Sequence, residues 1–178
     1  MIQITEVKAK GGAEIRVSYV ETDGAGTIRN HVVTSNEKPR PELLQGLDSL
    51  LMDLMNLLGI ACVSGKADEM TSVTGCSFKY PDSGGFEAVI KGKIYVPYAD
   101  EDVAICTPSI ATRPKDGRVG PYLPEETEKK IRTVIKEAEL YVNGKRAQGT
   151  LFEDSETVDG RGKNSPALKG SGPIKLIG

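Results

Sequence analysis

The chain has 178 residues, 38% hydrophobic and 27% charged, with 23 basic against 25 acidic side chains and a formal net charge of -2. That length can bury a core without metals or disulfides. The near-balance of charge argues against a dominant electrostatic attraction to nucleic acid or membrane, leaving local patches as the only route. Cys62, Cys76 and Cys106 are three in number and share no CxxC spacing. They read as reduced, mostly buried thiols of a cytoplasmic protein. No basic-then-apolar leader opens the sequence, and Leu43 to Ile60 is interrupted by Gln45, Asp48, Asp53 and Asn56, which excludes a membrane span there.

Ile2 to Val7 predicts a strand, and Gly11-Gly12 a turn. Ile15, Val17 and Tyr19 alternate with Glu14, Arg16 and Ser18, the period of a half-buried strand. Thr22 to Gly26 then predicts a hairpin loop, with Asp23-Gly24 tolerating positive φ, and Thr27 to Thr34 the returning strand. Pro41 opens a helix whose leucines, from Leu43 to Leu58, recur at three- and four-residue steps before Gly59. Met52 and Met55 read as gap-filling core.

The second half repeats the order. Met70 to Tyr80, Phe86 to Tyr98 (interrupted at Gly92) and Val103 to Thr107 predict strands. Pro108 to Pro121 predicts a loop. The last helix begins near Leu123-Pro124-Glu125-Glu126, buries Ile131, Val134, Ile135, Ala138 and Val142, and ends at Asn143-Gly144. The expectation is an α+β fold: antiparallel sheet with two helices, in the order βββα-βββα. Residues 1–147 form the single domain; residues 148–178 form a flexible tail carrying a docking peptide.

Catalytic patterns are missing from the sequence. His31 is the only histidine and reads as structural; there is no GxSxG or HExxH, and no set of ligands spaced for a metal. Gly59 to Lys66 fails the phosphate-loop spacing and has Ala67 where a magnesium-binding hydroxyl belongs. The sequence therefore predicts no enzyme, no cofactor and no metal. Arg113, Lys115 and Arg118, in the Pro/Gly loop, are candidate phosphate or ligand contacts, since guanidinium forks suit oxyanions. Lys91 and Lys93 share a strand face near Tyr95 and Tyr98, an arrangement open to single-stranded nucleic acid.

Gln148, Leu151 and Phe152 form an anchor-like set just after the last helix. Gln148-x-x-Leu151-Phe152 resembles the peptide with which bacterial replication and repair proteins dock onto the DNA sliding clamp, burying Leu and Phe in a pocket. Gly75-Cys76-Ser77-Phe78-Lys79-Tyr80, Thr107-Pro108, Leu123-Pro124-Glu125-Glu126 and Tyr141 to Gln148 resemble a group of small phage and prophage proteins. That resemblance spans about Val17 to Phe152 and implies a context of replication and recombination genes, with a host or phage protein as partner. Three readings follow. The first is an accessory protein acting by protein contacts. The second is a counter-defence protein that blocks a defence complex or sequesters a nucleotide signal on Arg113 and Arg118 at a dimer seam. The third is a single-stranded DNA binder.

Overall fold

A computed structural model describes residues 1–10, 14–35, 37–60, 67–82, 84–113 and 121–145. All belong to the first of two units, Met1–Gln148; the second, Gly149–Gly178, lies outside the described residues, as do the expected Gly11-Gly12 turn and Cys62.

Strands β1 (Ile2–Lys10), β2 (Glu14–Thr22) and β3 (Ile28–Ser35) form an antiparallel meander. Ile15 and Val17 point inward as their alternation demands, and both are buried. The hairpin between β2 and β3 works differently from expectation. Positive φ falls at Gly26 (+81°), not Gly24. Asp23 instead uses its carboxylate, which accepts hydrogen bonds from the Ala25 and Thr27 amides at 2.9 Å each. The Thr27 amide foremost holds that carboxyl below its ordinary range.

The single helix expected over Leu43 to Leu58 is bent into α1 (Pro41–Asp48) and α2 (Leu51–Leu58). At the bend the Ser49 hydroxyl donates to the Gly46 carbonyl at 2.7 Å, and the Leu50 amide bonds Leu47 instead of Gly46. This tightened turn re-aims the second half, so Leu43, Leu47, Leu50 and Leu54 are all buried. Gly59, at φ +68°, closes α2 with Gly59 N–H to Asn56 and Ile60 N–H to Met55, a Schellman ending. Met55 is core, but Met52 is 51% exposed, because it falls on the outer side of α2.

The short α3 (Ala67–Met70) leads into β4 (Thr71–Lys79), followed by β5 (Glu87–Val96), β6 (Glu101–Cys106), the two-residue β7 (Ile110–Ala111) and α4 (Glu125–Val142). The sheet has seven strands in the order β3-β2-β1-β4-β5-β6, with β7 on β5, and every strand pair is antiparallel. Two meanders thus meet at a β1–β4 seam, where Val7 opposes Cys76. The chain crosses from edge strand β3 to central β4 through the helices.

One sheet face is buried. Ile4, Val7, Ile15, Val17, Cys76, Phe78, Ala88 and Ile90 meet Leu43, Leu47, Leu54, Ile131, Val134 and Ala138 of the helices. In α4, Ile135 and Val142 only flank that core, whereas Tyr141, unexpected there, is buried and donates to the Glu37 carbonyl at 3.1 Å. Asp53 ties α2 to α4 by accepting from Lys130 at 2.7 Å and from Thr127. The opposite face alternates half-buried and exposed side chains, as a one-sided antiparallel sheet does.

Gly92 does not interrupt β5. A Cβ there would lie 2.4 Å from Leu54 Cδ2 and 2.7 Å from the Ser72 carbonyl oxygen, so the glycine lets α2 sit close on the sheet. We predict that Gly92→Ala destabilises the fold by about 1–3 kcal/mol, as overpacking does. Gly24→Ala, with open space around it, should stay within about 0.5 kcal/mol. Urea midpoints of the two variants check the contrast.

Candidate functional site

Helix α4 ends at the surface. Gly144 adopts φ +81°, its N–H bonds the Tyr141 carbonyl at 3.1 Å, and Lys145 N–H bonds that of Leu140 at 2.9 Å. Asn143, Gly144 and Lys145 are exposed. Positive φ at glycine stops the helix. Gln148, Leu151 and Phe152 lie outside the described residues. The described core is assembled without them, from residues between Ile2 and Val142.

Of the basic loop, Arg113 is exposed at the edge of the fold, while Lys115 and Arg118 lie outside the described residues. The ends of that loop are brought together by a bridge between Ala111 and Tyr122, with Leu123 N–H donating to the Ala111 carbonyl at 2.9 Å. Arg113 also acts on Glu125: Lys129 foremost, and Arg113 after it, hold the Glu125 carboxyl below its usual range. Its charge is therefore shared with the acidic first turn of α4.

Lys91, Lys93 and Tyr95 do share one face of β5, on the uncovered side. Their polar ends are already engaged. Lys91 Nζ lies 2.7 Å from Glu6, Lys93 Nζ 2.5 Å from Asp102, and the Tyr95 hydroxyl donates to Asp100 at 2.7 Å. The Asp100 bond pushes the Tyr95 phenol upward. Tyr98 is fully exposed in the turn between β5 and β6. The cluster is a set of cross-strand pairs, and its aromatic rings do not form a stacked platform over free cations. His31 stacks on Tyr19 with centroids 4.9 Å apart, and its Nε2 lies 3.3 Å from Glu21.

A cleft of about 230 Å³ opens between the start of β1, the end of β4 and α4, floored by Ile2, Tyr80, Phe86 and Ile135. The Arg132 guanidinium sits 5.1 Å over the Phe86 ring and is held there by Glu128, 2.8 Å from Nε and 2.6 Å from Nη2. Glu139 stands at the rim, its carboxyl pushed up by burial. The Tyr80 hydroxyl donates to the Ile4 carbonyl at 3.0 Å. Nothing periodic in the sequence announces this cleft; it is made where three elements meet.

Of the described cysteines, Cys76 is fully buried, but Cys106 is exposed, contrary to expectation. It alternates with Ile105 along β6 and so faces the uncovered side. Among the described residues no group of three or more His, Cys, Asp or Glu is placed to hold a metal, and no helix is long and apolar enough to cross a membrane. Comparison with protein-family models, curated proteins and solved structures yields no match.

Burial pushes the Cys76 thiol and the Tyr80 phenol up to about 12 each, with Glu139 adding to the shift of Tyr80. The native state thus holds both protons more tightly than the unfolded chain, whose groups ionise near their ordinary values of 9.0 and 10.0. Their contribution is complete below those values and is lost as pH rises toward about 12. Urea midpoints should be flat across neutral pH and fall between about pH 9 and 12. In the folded chain a thiol reagent should modify Cys106 well before Cys76, read by peptide mass mapping.

Proposed function

We propose that the protein is a non-enzymatic accessory factor of DNA replication or recombination that works by protein–protein contact, with Gln148, Leu151 and Phe152 docking on a sliding clamp. One observation carries the reading. Helix α4 closes on an exposed, positive-φ Gly144, so the last described turn before this peptide lies at the surface. A docking peptide needs a position at the surface, because Leu and Phe must bury in the partner and not in their own core.

A second line of support is the state of the competing cationic cluster. Lys91 and Lys93 are matched by Glu6 and Asp102. That pairing leaves the Lys91–Lys93 cluster without free cations, so it offers no competing site of its own.

Surface-immobilised bacterial sliding clamp, titrated with the full chain, tests the proposal. Leu151→Ala/Phe152→Ala should weaken binding by more than about 30-fold, the loss expected when a buried anchor is removed. Equal binding by the wild type and the double variant, or no binding by either, would overturn it.

A further inference from the structure

The register of the sheet aligns one residue from each of six strands in a single transverse row: Thr34, Arg16, Lys8, Gly75, Lys91 and Cys106. Their strand neighbours Val33, Val17, Val7, Cys76 and Ile90 point into the core, so the row lies on the uncovered face. Two of its cations, Arg16 and Lys8, are direct cross-strand partners, roughly 4.8 Å apart in backbone spacing. Like charges placed opposite one another in a sheet oppose folding. Among the described residues neither has an ion-pair partner, and Arg16 Nε is buried without a hydrogen-bond acceptor. The acids on this side are occupied: Glu6 by Lys91, and Glu14 by a contact of its own.

The next position in the row is Gly75, which brings no side chain of its own. Any Cβ there would fall 2.2 Å from the Val7 carbonyl oxygen, so the strand crossing itself demands glycine. Gly75 itself is buried, with Lys8 on one side and, on the other, Lys91 in its ion pair with Glu6 of β1. Hydroxyls of Thr34, Ser18 and Ser77 stand on the same face. Unpaired guanidinium and ammonium donors with flanking hydroxyls are the set that holds phosphate oxygens.

We infer that the unpaired Arg16 and Lys8 of this row, with the hydroxyls beside them, bind the phosphodiester backbone of a single-stranded nucleic acid. The row runs across the strands, whereas a peptide joining a sheet lies along an edge, where backbone groups are free. Among the described residues the face bears no element that could enter a duplex groove, so a splayed single strand fits it better than a double helix. The row carries no aromatic ring, so the contact is electrostatic and indifferent to base sequence.

Fluorescence anisotropy of a labelled oligothymidylate, titrated with the full chain at several salt concentrations, tests this directly. The wild type should bind with a negative salt slope. Lys8→Ala/Arg16→Ala should weaken binding at least tenfold and reduce the slope by about 1.4, near 0.7 for each phosphate no longer neutralised. Lys93→Ala/Asp102→Ala, which removes a matched pair elsewhere on the face, should bind within twofold of wild type. Because Arg16 is half-buried, Lys8→Glu at an exposed position serves as a second variant; it should also weaken binding at least tenfold, with an unchanged urea midpoint. Absent wild-type binding, unaltered binding in the Lys8 variants, or equal competition by poly-glutamate or by duplex DNA would overturn the inference. Leu151→Ala/Phe152→Ala should leave oligothymidylate binding intact, so this test and the clamp test fail independently.

Discussion

Burial of a single sheet face is the constraint on which the rest of this protein depends. Val17, Val7, Cys76 and Ile90 stand side by side across β2, β1, β4 and β5, and the helices must come down onto them closely enough to exclude water. Two glycines set that approach. Gly46 in α1 faces Val134 of α4, where a Cβ would lie 3.1 Å from Val134 Cγ2, and Gly92 in β5 makes room for Leu54 of α2. Each large apolar side chain buried there contributes roughly 1.5–3 kcal/mol, which a single displaced helix would forfeit at several positions together. The bend at Ser49-Leu50 belongs to the same requirement, since a straight helix from Pro41 to Leu58 would follow a line and not the twist of the sheet.

A one-sided core leaves the other side of the sheet to be settled by charge. Most of that face is arranged as matched pairs: Glu6 with Lys91, Lys93 with Asp102, Tyr95 with Asp100. Arg16 and Lys8 depart from that scheme, and they do so in register with a glycine that strand packing requires. The sheet's outer face and the exposed end of α4 are separate consequences of the same architecture. One presents cations on the sheet; the other ends α4 at an exposed Gly144. An accessory protein that holds a partner by a short peptide and a nucleic-acid strand by its sheet would use both.

Much of the fold was legible in the sequence because alternation and three-to-four spacing report burial directly. Ile15 and Val17 announced β2, and Ile131, Val134 and Ala138 announced the inner side of α4. What escaped was tertiary in origin. Gly92 reads as a break in isolation and is a close contact only once Leu54 is placed over it. Met52 and Cys106 have apolar side chains, but helix phase and strand parity put them outside. Tyr141 hides its hydroxyl on the carbonyl of Glu37, a partner far away in sequence. Of the candidate site residues, Arg113 is placed at the surface, and Gln148, Leu151, Phe152, Lys115 and Arg118 lie outside the described residues. The Arg16–Lys8–Gly75–Lys91 row could not be seen before strand order and register were known, because its members come from four separate strands.

The central claim is a division of labour in which the packed domain stays unaltered while the segment after α4 makes the protein contact. Hydrogen–deuterium exchange of the full chain, with and without a bacterial sliding clamp, tests it most directly. The account predicts new protection confined to peptides containing Gln148, Leu151 and Phe152, with β1 to α4 unchanged. Protection that appears on the sheet or along the α4 cleft, with residues 148–152 unaffected, would contradict it.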